Sequence, residues 1–161
     1  MNYEPDGYGG PERQYSSHQS TEENVRRYEY VAASKGSAEK IDRTNLAVQL
    51  VNGQISPSAK CAQLQPKMMR EGRFPSDFRT PRTADDMQAM ESSTIERILL
   101  AYSLPTDLRS FRMSGVENPS SKVIKQAKLC TLFDFLGATR LADHERMKAE
   151  KWRQQRAILA Y

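Results

Sequence analysis

The segment NPSSKVIKQAKLCTLFDFLG, residues 118–137, carries the clearest structural signal in the chain. Asn118-Pro119 is a typical helix start, because proline is well tolerated in the first helical turn, and Gly137 is a typical helix stop. The apolar residues between them recur at helical spacing and predict one amphipathic helix. A highly charged second helix follows in ADHERMKAEKWRQQRAILAY, residues 142–161. This basic helical pair with an apolar seam favours a protein that binds or assembles.

Two helices are predicted near the start of the chain. Ser20 and Glu23 have the spacing of a capping box, and Gly36 is placed to end the helix that they begin. A second helix then runs to Gly53 and carries a broad apolar face that we expect in the core. That face consists of Ile41, Leu46, Val48, Leu50 and Val51.

Shorter helices are predicted in the middle of the chain, because residues that favour helix starts recur there. The expected starts are Ser56-Pro57, Thr83, Ser93 with Glu96, and Thr106. No segment shows the period-two alternation of a half-buried strand. We therefore predict an all-α fold of five to six helices in an irregular bundle. A single domain would span residues 20–161, with a connector rich in proline and arginine at residues 66–84.

Residues 1–19 are expected to form a flexible N-terminal arm, because they are rich in glycine, proline, serine and glutamine. The arm carries Tyr3, Tyr8 and Tyr15 without helical or strand spacing. These tyrosines stack on bases or contact a neighbouring copy, or else the arm is a simple disordered tail. The apolar stretch ILAY, residues 158–161, is a second candidate for contact with another molecule.

Basic residues concentrate in two blocks of the 161-residue chain, whose net charge is +4. Residues 41–84 have seven basic and three acidic side chains, and residues 119–161 have nine and four. Such blocks suit binding to a polyanion, and equally to acidic regions of a neighbouring copy. No apolar run approaches the roughly 20 residues of a membrane span, and residues 1–10 match no secretory or transit signal. We therefore expect a cytoplasmic or nuclear protein without a membrane partner.

The sequence contains no catalytic or metal-binding constellation. It lacks the phosphate-binding, dinucleotide-binding, zinc-protease and nucleophile-elbow motifs. His18 lies in the predicted arm, and His144 lies in a charged helix where it is expected at the surface. Cys61 and Cys130 fit no metal-ligand spacing and are expected to be buried, reduced thiols. We therefore predict that the protein is not an enzyme and uses no cofactor or metal.

The better candidate for a binding site is the connector, in which arginines and phenylalanines are interleaved. Single-stranded nucleic acid is held by guanidinium contacts to phosphate and by aromatic rings stacked on bases. The predicted contacts are Arg70, Arg73, Phe74, Arg79 and Arg82 in the connector, and Lys122 and Lys125 on the following helix. Two alternatives stay open. In the first, Phe74 and Phe78 only pin the connector to the core. In the second, the lysines form an ordinary solvated helix face.

Asp134 interrupts the apolar seam between Phe133 and Phe135. A carboxylate near the C-terminal end of a helix is unfavourable, and it is costly to bury without a partner. We expect Asp134 to pair with a basic side chain, unless it simply faces water. The candidate partners are Arg109, Arg112 and Arg140.

Several short motifs lie between Asn118 and Lys148. They are Phe133-Asp134-Phe135 preceded by Lys125–Leu129, then Thr139-Arg140, then Asp143-His144 through Met147-Lys148-Ala149. In these motifs the segment resembles the coat proteins of flexible filamentous plant viruses, in particular the potyvirus-like branch. The resemblance implies an all-helical protein whose flexible arms link subunits along a helical ribonucleoprotein. It also implies a salt bridge from Asp134 to the upstream Arg109 or Arg112, near the RNA groove.

A basic helical scaffold without reactive groups predicts a structural protein of the coat or nucleocapsid type. Such a protein would bind single-stranded RNA independently of sequence, self-assemble, and belong to the virion. The alternative is a small helical adaptor or assembly subunit of a larger protein complex, whose basic blocks meet acidic protein surfaces.

Overall fold

The computed structural model describes residues 17–107 and 120–159, with five helices and two short strands. The helices are α1 (Ser17–Gly53), α2 (Ala84–Ala89), α3 (Ser92–Ala101), α4 (Ser121–Leu136) and α5 (Thr139–Leu159). The strands β1 (Gln63–Leu64) and β2 (Arg82–Thr83) pair antiparallel. The predominantly helical character is confirmed. The strand pair was not predicted, because strands of two residues are too short to show an alternating pattern.

The chain divides into two compact units, Met1–Ser37 and Ala38–Tyr161. In the first unit the described residues are helical from Ser17 onward. The predicted arm therefore lies outside the described residues as far as residue 16, and residues 17–19 belong to α1. The helix end predicted at Gly36 is wrong, because α1 extends to Gly53. A glycine inside a helix costs about 1 kcal/mol relative to alanine, which the neighbouring helix-forming residues outweigh.

The core of the second unit is built around α4, which packs against both α3 and α5. The helix end predicted at Gly137 is confirmed, since Gly137 adopts a left-handed φ of 85° after the last turn, whereas the N-cap is Ser120, whose hydroxyl accepts the Val123 N–H, and not the predicted Asn118. The main core side chains are Ile95, Ile98 and Leu99 from α3, Leu129, Leu132, Phe133 and Leu136 from α4, and Leu141 and Ala142 from α5.

The predicted helix starts between residues 56 and 96 have mixed outcomes. Thr83 caps α2 as expected, because its hydroxyl accepts the Asp86 N–H and its own N–H donates to the Asp86 carboxylate. The capping box at Ser93 is wrong, since α3 begins at Ser92 after Glu91. No helix follows Ser56-Pro57, where turns lead into β1. Hydrogen bonds from α1 hold the chain beyond this point in an extended path. The helix expected from Thr106 would extend into residues 108–119, outside the described residues.

The part of α1 in the second unit exposes most of the face that we expected in the core. Leu46, Leu50 and Val51 are 58%, 64% and 55% exposed, so the prediction is wrong for these three residues, whereas Ile41 and Val48 are half-buried. The physical reason is that α1 turns its asparagines inward. Asn45 and Asn52 are two helical turns apart on one face, and their amides bind the backbone of the neighbouring extended segment.

Asn52 is fully buried and joins three segments. Its Oδ1 accepts the Gln65 N–H at 2.8 Å, and its Nδ2 donates to the Gln65 carbonyl at 2.9 Å and to the Leu136 carbonyl at 3.0 Å. The Leu136 carbonyl lies at the end of α4, where backbone oxygens have no helical partner. One side chain therefore fixes α1, the extended segment and the end of α4 to each other.

Gly137 allows the backbones of α1 and α4 to touch at the same place. Its positive φ favours glycine, and a Cβ there would lie 2.8 Å from the Gln49 carbonyl oxygen and 2.9 Å from the Gln49 Cα. Any larger residue at position 137 would push α1 away from the end of α4 and break the hydrogen bond from Asn52 to the Leu136 carbonyl.

We predict that Asn52→Ala lowers the free energy of unfolding by about 2–4 kcal/mol, because it removes a fully buried side chain and leaves three backbone groups without partners. Asn45→Ala is the matched control. Asn45 makes the same two bonds to the Met68 N–H and carbonyl, at 2.7 and 2.8 Å, in a half-buried position where water can replace it. We expect it to cost about 1 kcal/mol. Urea unfolding measures both values, and equal costs would contradict this account.

Candidate nucleic-acid interface

The connector, residues 66–84, is fastened to the helices along its length. The Lys67 ammonium donates to the Phe135 carbonyl at 2.6 Å and to the Gln49 amide oxygen at 3.1 Å, and it lies 4.7 Å from the centre of the Phe135 ring. The Tyr102 hydroxyl donates to the Lys67 carbonyl at 2.8 Å. Burial lowers the pKa of Lys67. The connector is therefore a held segment with a defined path.

The phenylalanines of the connector differ in their environments. Phe78 is fully buried in the core, together with Pro75. It pins the connector to the core, as one of the two alternatives from the sequence proposed. Phe74 is half-buried and keeps part of its ring at the surface. Its predicted role in stacking on a base stays a prediction.

The four connector arginines, Arg70, Arg73, Arg79 and Arg82, are all exposed. Among the described residues, no carboxylate lies within ion-pairing distance of Arg70, Arg73 or Arg79. The connector contains two acidic residues, Glu71 and Asp77, and Asp77 already has an ion-pair partner. It pairs with Arg97 at 3.0 Å, and the hydrogen bond from Arg97 lowers the pKa of the Asp77 carboxyl. The arginine side chains thus present positive charge to the solvent.

A cavity of about 550 Å³ opens beside Arg70. Its wall includes the rings of Tyr102 and Phe135, which lie 4.7 Å apart between centroids and are tilted by 43°. Ser103, on the rim, has a φ of 56°, which is uncommon for a residue other than glycine. Burial raises the pKa of the Tyr102 hydroxyl, which keeps it protonated as a donor. Aromatic walls with a guanidinium at the edge are suited to a planar group such as a base, although the lining also includes the acidic residues Asp42 and Glu71.

The lysines predicted on α4 lie on the side that faces α5. Lys122 is exposed and Lys125 is half-buried, and both line a second cavity of about 360 Å³. Lys128, three residues further along the helix, is buried and differs from them. Its ammonium pairs with Glu96 at 2.6 Å and contacts the Ser92 hydroxyl at 3.2 Å. The positive stripe on α4 therefore ends at Lys125.

Asp134 has a basic partner that the sequence analysis did not name. Its carboxylate forms an ion pair with Arg146 on α5, and Arg146 also binds Asp143 at 2.7 Å. Burial raises the pKa of Asp134 despite the neighbouring guanidinium. Arg140 is exposed at the start of α5, whereas Arg109 and Arg112 lie outside the described residues. The spacing of Asp143 and Arg146, one helical turn apart, was the available signal for this cluster.

The described residues contain no group of three or more histidine, cysteine, aspartate or glutamate side chains that could hold a metal ion. His144 is at the surface, with its Nδ1 4.0 Å from the Glu145 carboxylate. The side chain of His18 is outside the described set. In the same part of the chain, no helix combines the length and the apolar character required to cross a membrane.

Comparisons with models of protein families, with curated protein sequences and with solved structures find no match to this chain. The likeness to filamentous plant-virus coat proteins therefore stays a prediction. Any function has to be argued from the geometry described above.

The two cysteines are not equivalent, although both were expected to be buried. Cys61 is exposed, so that expectation is wrong for it, because the turns after Ser56 keep it at the surface. Cys130 is buried, and its thiol donates to the Ala142 carbonyl at 3.4 Å. Burial raises the pKa of the Cys130 thiol to about 12.

We predict that iodoacetamide at pH 8 modifies Cys61 in the folded protein and leaves Cys130 unmodified. With a pKa near 12, only about one Cys130 thiol in ten thousand is ionised at this pH, and the thiolate is the reactive form. Mass spectrometry of the intact chain should show one adduct in buffer and two in urea. The Cys61→Ser variant is the control and should gain no adduct while folded. Rapid modification of Cys130 in buffer would contradict its burial.

Proposed function

We propose that this protein binds single-stranded RNA through the connector, without strong sequence preference, and self-assembles on it as a structural protein of the coat or nucleocapsid type. Its cytoplasmic or virion location would follow from this role. The observation that carries the proposal is the set of exposed arginines without described acidic partners, displayed on a segment that is fixed at several points.

Electrostatics favour a polyanion as the ligand of this surface. A guanidinium that is already paired has little to gain from phosphate, whereas Arg70, Arg73 and Arg79 keep their charge available. Each phosphate that they neutralise would release counterions, which is the main driving force for binding without sequence preference. The anchors at Lys67 and Phe78 reduce the conformational entropy lost when the arginines become ordered on RNA.

The aromatic cavity beside Arg70 supports the choice of single strands over a duplex. Unstacked bases are available only in single-stranded RNA, and base–aromatic stacking tolerates any sequence. The half-exposed rings of Tyr102 and Phe135 lie next to a free guanidinium, so one chain segment can meet both. A duplex would offer the phosphates without the bases.

The exposed apolar stripe of α1 supports self-association. Leu46 and Leu50 are one helical turn apart, and Val51 lies beside Leu50, so they form a continuous strip in the second unit. Contiguous apolar surface of this kind marks interaction sites more often than scattered apolar residues do. The N-terminal arm and the ILAY stretch, which the sequence analysis also proposed for contacts between copies, lie outside the residues whose side chains are described.

We predict micromolar binding to a random-sequence single-stranded RNA, with a steep decrease in affinity between 50 and 200 mM salt. Arg73→Glu with Arg79→Glu should weaken binding by at least about tenfold and reduce the salt slope by about 1.4, because two phosphate contacts are lost. Fluorescence anisotropy at several salt concentrations measures both quantities.

The control for this double variant is Lys60→Glu with Arg140→Glu. It changes the net charge equally at two exposed positions outside the connector. If both double variants lose affinity to the same degree, the connector is no specific site. If the unaltered protein fails to bind RNA at low salt, the RNA-binding function is excluded, and the adaptor alternative replaces it.

We predict that Leu46→Asp with Leu50→Asp prevents assembly on RNA while RNA binding is retained, because charged residues would replace the centre of the apolar stripe. Leu100→Asp is the control, since Leu100 is 60% exposed on another helix. Size-exclusion chromatography with light scattering, with RNA and without it, measures the assembly state. Assembly that persists in the double variant would exclude the stripe as the contact.

A further inference from the structure

The second cavity, between α4 and α5, has features that the connector lacks. Its volume is about 360 Å³, and Lys122, Lys125 and Gln126 from α4 face Glu145 and Lys148 from α5 across it, with Gln88 of α2 at one side. All of these residues belong to the second unit. The cavity lining therefore contains both ammonium donors and oxygen acceptors.

Gln126 carries a buried acceptor atom without a donor. The residue is only 7% exposed, and its Oε1 has no hydrogen-bond partner. Buried polar atoms are nearly always paired in folded proteins, since an unpaired one costs free energy. A ligand that donates a hydrogen bond at this position would remove the cost.

Glu145 is a buried carboxylate, 3% exposed, that uses one oxygen for all of its described contacts. Its Oε1 accepts from the Gln88 Nε2 at 2.8 Å and from the Lys148 ammonium at 2.9 Å, and the His144 Nδ1 is 4.0 Å away. None of these contacts uses Oε2. The cavity thus offers two acceptor atoms in its lining, one from Gln126 and one from Glu145.

The ammonium groups give the same cavity an affinity for an anion. Lys125 is half-buried in the lining and available to an anion, whereas the Lys148 ammonium is already paired with Glu145 at 2.9 Å. A ligand that matches the whole set needs hydrogen-bond donors at one end and negative charge at the other. Among the parts of an RNA strand, a guanine nucleotide has this character, because N1–H and the N2 amino group are adjacent donors on one edge and the phosphate is anionic.

We propose that the α4–α5 cavity binds one guanine nucleotide of the RNA, with the base edge toward Gln126 and Glu145 and the phosphate toward Lys125. This inference rests on the proposed RNA-binding function and adds a local base preference to contacts that otherwise ignore sequence. Adenine and cytosine present one amino group next to an acceptor, and uracil presents one N–H between two acceptors. Each leaves an acceptor of the cavity unpaired.

The test measures binding of the four nucleoside 5′-monophosphates to the full chain by isothermal titration at low salt. We expect guanosine monophosphate to bind at least about fivefold tighter than uridine monophosphate, since a matched pair of hydrogen bonds is lost with uracil. Equal affinities for all four, or no measurable binding of any, would overturn the proposal.

Two variants separate the roles of the lining residues. Gln126→Met removes the unpaired acceptor and should bring the ratio of the affinities for guanosine and uridine monophosphate toward one. The midpoint of thermal unfolding should stay the same or rise. Lys125→Met should weaken all four nucleotides by a similar factor and leave the ratio unchanged. The control is Gln54→Met, at an exposed glutamine outside the cavity, which should change neither. A guanine preference that survives Gln126→Met would also overturn the proposal.

Oligouridylate distinguishes failure of this inference from failure of the proposed function. Its binding requires only phosphate contacts and stacking, so it should be steeply salt-dependent and unaffected by Gln126→Met. Salt-dependent oligouridylate binding without a guanine preference would leave the RNA-binding function standing and remove only the guanine site. Absence of oligouridylate binding at low salt would remove both.

Discussion

The buried amide of Asn52 is the interaction on which the second unit is organised. A single side chain satisfies two backbone groups of Gln65 and the terminal carbonyl of α4 at Leu136. These segments are far apart in the chain and come together only if α1 approaches the end of α4 closely. Gly137 makes that approach possible, because it has no side chain to keep α1 away. The path of the connector follows from this contact, since Gln65 immediately precedes it.

This arrangement uses α1 in an unusual way. A helix on the surface of a domain normally buries its apolar stripe and exposes its polar face. In the second unit, α1 instead directs Asn45 and Asn52 inward and leaves Leu46 and Leu50 exposed. The hydrogen bonds are strong enough to choose this orientation because the alternative would leave several buried backbone groups unpaired. The cost is exposed apolar surface, which a second copy could cover during assembly.

Two positively charged surfaces result, and they differ in chemistry. The connector presents exposed arginines, and Arg70, Arg73 and Arg79 have no described ion-pair partner, a pattern suited to phosphates of any sequence. The α4–α5 cavity mixes lysines with a buried carboxylate and an unpaired amide oxygen, so it is suited to a ligand with donors as well as negative charge. Lys128 belongs to neither surface, because its ammonium is paired with Glu96. In the proposed function, the connector supplies the affinity for RNA and the α4–α5 cavity supplies the base preference.

Local patterns in the amino-acid sequence were sufficient for the helical character, for the end of α4 at Gly137 and for the cap of α2 at Thr83, because these depend on residues within a few positions of each other. The connector arginines were also recognised as candidates, because they are interleaved with phenylalanines in one short segment. The sequence alone could not predict the partner of Asp134, the orientation of α1, the β1–β2 pair or the unpaired Gln126. Each results from contacts between distant segments, and the periodicity of an isolated helix carries no information on which face meets which neighbour.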